Sequence, residues 1–195
     1  MPKQYSEKEK EIIKAELLHY AAECMGTYGI KKTTVDELVR LAKIPKGTFY
    51  LFYESKEMLL MEVVMQWHEK IEQEMIQKII KKSGNVGVEE LTEIFYQCIL
   101  SVEETGLAKL IASGELEVLM RKMPETYVQG HMEHDEDMLL SLKKIVPNMR
   151  KMETGPYSAA LRGVFGLLLY EREMGAHFHE AIRIMLRGIV MQLLI

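Results

Sequence analysis

The stretch Thr33 to Tyr50 constrains this chain more than any other. Val35, Leu38, Val39 and Ala42 recur at helical spacing and give a short amphipathic helix. Lys43-Ile44 then breaks the pattern, and Pro45 opens a second short helix, where its missing N–H costs nothing. Two short helices on either side of a tight turn predict a helix-turn-helix. The second helix carries Lys46, Thr48 and Tyr50, residues suited to a phosphate or a base edge. Phe49 and Tyr53 fall four apart and are expected to point inward, against the preceding helices.

Helical periodicity dominates the rest of the chain, and strand signals are almost absent. A first helix is expected from about Ser6 to Tyr28, with Ile13, Leu17, Tyr20, Ala21, Cys24 and Tyr28 as its apolar stripe. Gly29 is its expected left-handed C-cap, with Ile30 beside it. Thr33 or Thr34 should cap the second helix, and Ser55 a long fourth one over Lys56 to Lys82. Such a helix spans about 40 Å at roughly 1.5 Å per residue. Ser83-Gly84-Asn85-Val86-Gly87 reads as a loop. Further helices are expected over 88–104, within 106–123 with a break at Gly114, over 124–146, and, after a loop at 147–156, over 157–173 and 176–194. The fold class is therefore all-α: an N-terminal three-helix helix-turn-helix DNA-binding domain, residues 1–53, followed by a larger helical effector-binding and dimerisation domain, residues 54–195.

Charge is distributed to match. The chain of 195 residues has a net charge of −4. Lys31, Lys32, Arg40, Lys43 and Lys46 against Asp36 and Glu37 leave the 31–53 segment at +3, so the remainder carries −7. A small basic end on an acidic body suits a protein that presents one end to DNA. No apolar run is long enough for a membrane span. Met1 to Lys14 is charged and lacks an apolar signal core, which predicts a cytoplasmic protein without membrane partners. Cys24 and Cys98 stand apart in apolar helical stretches and read as buried free thiols.

Residues 10–60 resemble the N-terminal domain of the TetR family of bacterial transcriptional regulators. The matching residues are Tyr28-Gly29, Thr33-Thr34, Ala42, Gly47-Thr48-Phe49-Tyr50, Phe52-Tyr53 and Ser55-Lys56-Glu57. The chain departs from the pattern at Lys43, Pro45 and Phe52, where a small residue, a Ser-like cap and a His are usual. The resemblance implies a ligand-responsive repressor that binds a pseudo-palindromic DNA operator as a homodimer and is released by a small-molecule effector. It implies no enzymatic activity and no cofactor.

The residues expected at DNA are Thr33, Thr34, Lys43, Lys46, Gly47, Thr48, Tyr50, Ser55 and Lys56. Thr33/Thr34 and Ser55/Lys56 would flank the recognition helix with two helix N-termini, each a phosphate site. Inward faces suggest Phe95, Ile99, Met120, Tyr127 and Phe165 around an effector of cationic or neutral apolar character. The 15 methionines, among them Met58, Met61 and Met65 on one side of the fourth helix, suit an adaptable cavity or ordinary core filling. Leu161, Phe165, Leu168, Ile182, Met185 and Ile189, with Gly163 and Gly166 permitting close approach, are the expected dimer interface. An apolar end, Leu193-Leu194-Ile195, adds to that expectation.

One cluster points elsewhere. His131, His134 and Asp135 would share a helix face and could meet a cation, which gives an alternative reading as a metal-dependent helical hydrolase or metal sensor. Acids surround the pair in sequence, so a solvated acidic face with no metal is the favoured reading.

Overall fold

The computed structural model describes residues 5–82 and 84–194, without the side chain of Val128. Met1 to Gln4, Ser83 of the expected loop and Ile195 of the apolar end lie outside the described residues. The described chain is all-helical, with one isolated β-bridge between Met149 and Leu194. Its helices are α1 (Glu7–Tyr28), α2 (Val35–Leu41), α3 (Lys46–Phe49), α4 (Lys56–Lys81), α5 (Val88–Glu104), α6 (Gly106–Ala112), α7 (Glu115–Met120), α8 (Glu125–Ile145), α9 (Gly155–Gly166), α10 (Glu171–Met174) and α11 (Phe178–Leu193).

Local chemistry explains most of the boundaries. Ser6 accepts from the Glu9 amide while Glu9 reaches back to the Ser6 amide at 2.8 Å, a complete capping box. Thr34 caps α2 by accepting from the Glu37 amide, and Ser55 caps α4 by accepting from the Met58 amide. Gly29 ends α1 at φ 82 and ψ 173, a positive-φ but extended conformation instead of the expected left-handed helical cap. The helix expected over 157–173 is broken: α9 stops at Gly166, a 3-10 turn covers Leu167–Tyr170, and α10 is a single turn.

The helices pack in series. α1 lies on α4, α4 on α5, and α5 on α11, while α8 spans α4 and α9. Ile94, Phe95, Cys98, Ile99 and Val102 of α5 are buried, as are Ile182, Leu186, Val190 and Leu193 of α11. Polar pins run along the α5–α11 seam. Arg187 Nε sits 2.7 Å from Glu89, and the Arg183 guanidinium lies 3.6 Å from the centre of the Tyr96 ring. The apolar C-terminal end is absorbed internally. Leu193 and Leu194 are buried, and Arg150 donates through its amide to the Leu193 carbonyl and through Nε to the Leu194 carbonyl, each at 2.8 Å.

Head and body touch at two further points, and one ion pair braces the start of α4 where it leaves the head. At Gly106 of α6, an added Cβ would lie 2.9 Å from Gly26 Cα of α1, so the two backbones approach as closely as glycine allows. Glu115, in the first turn of α7, accepts from the Ile30 amide at 2.5 Å and the Lys31 amide at 3.2 Å. Lys122 pairs with Glu57 in the first turn of α4 at 2.8 Å.

Candidate nucleic-acid interface and a buried polar cluster

The α2–turn–α3 unit is held from beneath. Leu38, Val39, Ala42, Phe49 and Tyr53 are buried with Leu17, Ala21 and Cys24 of α1 and Leu59 and Leu60 of α4. The inward placement expected for Phe49 and Tyr53 is what the structure shows. Tyr53 also donates its hydroxyl to Glu62 at 3.0 Å, and burial pushes its pKa up, with the Glu62 charge adding to the effect.

The residues expected at DNA divide into two groups. Thr34, Lys43, Lys46, Gly47 and Tyr50 are exposed, together with Leu51 at 69 % exposure, an apolar side chain the sequence reading passed over. Lys43 occupies φ 54, so the backbone of the turn places a lysine where a small residue is the common choice. Lys46 is not idle: its ammonium sits 2.8 Å from Asp36, and that hydrogen bond raises its pKa.

The other four are engaged within the protein. Thr33 is 1 % exposed and donates its hydroxyl to the Gly29 carbonyl at 2.8 Å. Thr48 is buried, with its hydroxyl 3.1 Å from that of Tyr5. Ser55 caps α4. Lys56 donates to the carbonyls of Ile30 and Thr33 at 3.1 and 2.7 Å, tying the start of α4 to the α1–α2 connection. For these residues the structure gives a positioning geometry, with the polar atoms facing the protein. Their neighbours in space, Tyr5 and the carbonyls of residues 30 and 33, leave no mark in a motif.

The residues expected at an effector are spread over α5, the end of α7, α8 and α9. Phe95 and Ile99 are buried in the core, and Met120 and Phe165 are half-buried. Tyr127 lies in a cleft of about 460 Å³ with Lys14, Phe52, Tyr53, Glu54, Met58 and Glu62, which includes none of the other four.

The residues expected at a dimer interface differ in burial. Leu161, Leu168 and Ile182 are buried within the single chain, so they cannot also cover a partner; Phe165 and Ile189 are half-buried and Met185 is exposed. Their apolar stripe is the inner one. The outer stripe has Ile184 at 73 % exposure with Met185 and Met191 on α11, and Ala159, Ala160, Gly163 and Gly166 on α9.

The favoured solvated-face reading of His131–Asp137 is overturned at its centre. Asp135 is 7 % exposed, and the cluster includes two residues of α4 that the sequence reading did not find, His68 and Glu72, the latter 9 % exposed. His68 Nε2 lies 3.5 Å from Glu72 Oε1 and 3.8 Å from Asp135 Oδ1. His131 Nδ1 is 4.0 Å from Asp135 Oδ1, and His134 Nε2 is 2.8 Å from Glu72 Oε2. Arg162 of α9 reaches Asp135 Oδ2 at 2.8 Å and Ser158 Oγ at 2.7 Å. The three residues named from sequence therefore do not act as one face: His131 and Asp135 turn to His68, while His134 pairs with Glu72.

Burial drives the titration of this cluster. It lowers His68 to about 4, with the neighbouring His131 charge acting the same way, and it lowers His131. Burial raises the Glu72 carboxyl. It also pulls His134 down, but the hydrogen bond and charge of Glu72 outweigh it, and the net direction is up.

A buried three-helix head that exposes a basic turn, joined by one long helix to a larger helical body, defines a helix-turn-helix protein with an all-helical companion domain. Residues 17–63 match the family model for bacterial regulatory proteins of the tetR family. That match covers the helix-turn-helix head and the start of α4. The chain is 27 % identical over 163 residues to the uncharacterized HTH-type transcriptional regulator YuxN of Bacillus subtilis, covering 80 % of this chain and 50 % of YuxN. The chain thus spans about half the length of that relative. Among solved structures it resembles RolR in complex with resorcinol, with TM-score 0.61, 18 % identity, and 97 % and 98 % of the two chains covered. A TetR-family regulator from Rhodococcus sp. aligns with TM-score 0.55 at 16 % identity over 95 % and 100 % of the chains. At these identities the structural likeness establishes the fold. No helix among the described residues is long and apolar enough to cross a membrane.

Proposed function

We propose that the chain is a transcriptional repressor that binds a pseudo-palindromic DNA operator as a homodimer and leaves it when a small molecule binds the body. The observation that carries this is the exposed face of Thr34, Lys43, Lys46, Gly47 and Tyr50, mounted on a buried apolar base and confined to the +3 segment of a chain with net charge −4. Lys43 and Lys46 supply phosphate or guanine contacts, Gly47 lets the backbone approach, and the Tyr50 hydroxyl reaches a phosphate. Thr33, Thr48, Ser55 and Lys56 hold that face in register. We assign the head to residues 1–53, the body to 54–195, and the setting to the cytoplasm.

Dimerisation is proposed through the outer stripes of α9 and α11, whose small residues allow close helix approach and whose apolar residues would otherwise face water. A twofold axis there would set two heads about 34–36 Å apart, or at a related spacing. An effector that parts the core near Phe95, Ile99, Met120, Tyr127 and Phe165 would shift α4. The contacts of Glu115 with the Ile30 and Lys31 amides and of Gly106 with Gly26 would carry that shift to the head. A coupling of roughly 1–3 kcal/mol is enough for such a switch.

Selection of bound sequences from a random DNA pool, followed by affinity measurement at several salt concentrations, tests the reading. A two-half-site consensus is expected, with Tyr50→Ala and Lys43→Ala weakening all sequences and Lys46→Ala relaxing one position per half-site. Failure to enrich any sequence, with binding indifferent to all three changes, would overturn it. Ile184→Asp should yield monomers by light scattering.

A further inference from the structure

The cluster between α4, α8 and α9 has features that a hydrogen-bond network does not explain. His68 Nδ1, Glu72 Oε1 and His131 Nδ1 are buried and have no hydrogen-bond partner among the described residues. Leaving such atoms unsatisfied costs about 1–3 kcal/mol each. Three imidazoles and two carboxylates converge from two helices, and they form two overlapping sets of three donors, His68–His131–Asp135 and His68–Glu72–His134. Within each set the donor atoms all lie within 4.8 Å of one another.

We propose that this is a binding site for one divalent transition-metal ion of the zinc class. His68 is the ligand common to both sets; His131 and Asp135 complete one, and Glu72 and His134 complete the other.

The donor chemistry fits. Imidazole nitrogens with carboxylate oxygens suit zinc, cobalt or nickel, whereas calcium and magnesium prefer oxygen alone. Ligand bonds of about 2.0–2.2 Å place tetrahedral donors roughly 3.4 Å apart. The observed His68–Glu72, His68–Asp135 and His131–Asp135 separations of 3.5, 3.8 and 4.0 Å need only a small contraction. A supporting shell is also in place. Arg162 takes Asp135 Oδ2 and leaves Oδ1 facing the histidines, and Ser158 fixes Arg162. A bound ion would turn the α4–α8 contact into a cross-link, so it would act on the helix that carries the head.

The site does not depend on DNA binding and is tested without it. Full-length protein stripped with a chelator would be titrated with Zn2+ by calorimetry and with Co2+ by visible absorption, with melting followed by circular dichroism. One ion per chain, a ligand-field cobalt spectrum and a higher Tm with metal are expected. His68→Ala and His131→Ala should each weaken binding about a hundredfold or more, and Ser158→Ala about tenfold through the supporting shell. His177→Ala, on the surface and outside the cluster, should leave it unchanged. X-ray absorption of the zinc-loaded wild type should show at least two imidazoles, which decides the matter even if a variant fails to fold. Wild type that binds no ion at micromolar metal, binding that survives in a folded His68→Ala, or a bound ion with fewer than two imidazoles would each overturn the proposal.

Discussion

The head and the α4–α8 cluster use polar residues in opposite ways. In the head, the polar atoms are either exposed or already matched: Lys46 to Asp36, Thr33 to Gly29, Lys56 to two carbonyls, Thr48 to Tyr5. Its apolar base supplies the stability, and its outer face is free to meet a partner. In the cluster, three buried polar atoms are unmatched although charged groups crowd around them. A surface built to bind a large polyanion needs a rigid support and donors that can be redirected. A pocket built for a small cation needs donors that converge and have nothing else to bond.

The largest test of that contrast is Phe49→Ala. Phe49 is fully buried at the end of α3 and stacks near Tyr53, with ring centres 5.9 Å apart. Its loss should cost about 3–5 kcal/mol and abolish DNA binding without touching any exposed residue. Denaturant unfolding measures the first, and gel-shift titration the second. Retained DNA affinity at wild-type level would show that the face does not need this base.

Next comes the joint between head and body. Gly106→Ala should push α1 from α6 and cost about 1–3 kcal/mol, because the added Cβ meets Gly26 backbone and the Trp67 ring. Calorimetric melting should then broaden or separate into two transitions, since one of the contacts that unite the regions is disturbed. A single transition at the wild-type temperature would mean that the close approach relaxes at no cost.

These two positions also show what could be read in advance. Phe49 was legible because the head is local: its helices are consecutive, its apolar spacing is helical, and its caps are single residues such as Thr34 and Ser55. Element boundaries elsewhere followed from the same signals, with Gly114 breaking α6 from α7 as expected. Pairings between distant segments were not legible. Gly26 and Gly106 meet across the fold, and His134 meets Glu72 across 62 positions. Neither pairing leaves a periodic signal in either segment. Acids next to His134 in sequence suggested a solvated face because sequence proximity was taken for spatial proximity; Asp135 points inward while Glu133 and Asp137 point out. The residues expected at a dimer interface are a related case: Leu161, Leu168 and Ile182 are buried, whereas Met185 is exposed. Both faces of α9 and α11 carry apolar residues, and packing, of α11 on α5 and of α9 on α11 and α8, decides which is inner.

The cluster side of the contrast predicts a smaller effect of opposite sign. In metal-free protein, His68→Leu removes a half-buried imidazole whose Nδ1 is unmatched and keeps an apolar side chain of similar size. It should raise stability by about 1 kcal/mol, where truncating Phe49 lowers it severalfold more. Chemical denaturation in chelator measures this. A loss of stability would mean that His68 is already satisfied in the free protein.

The smallest effect belongs to the surface. Lys46 lies at the leading turn of α3 but is held by Asp36, one helix away and 76 % exposed in its side chain. Asp36→Asn removes the competing charge, so Lys46 reaches a phosphate or base without first breaking an ion pair. Affinity for DNA of any sequence should rise a fewfold at low salt, and the advantage should shrink as salt screens both interactions. Folding stability should change little, because an exposed pair of this kind contributes little to it. The double change with Lys46→Ala should abolish the gain. If the gain persists without Lys46, then Asp36 repels DNA through the general field of the head, and the pair is not the latch its geometry suggests.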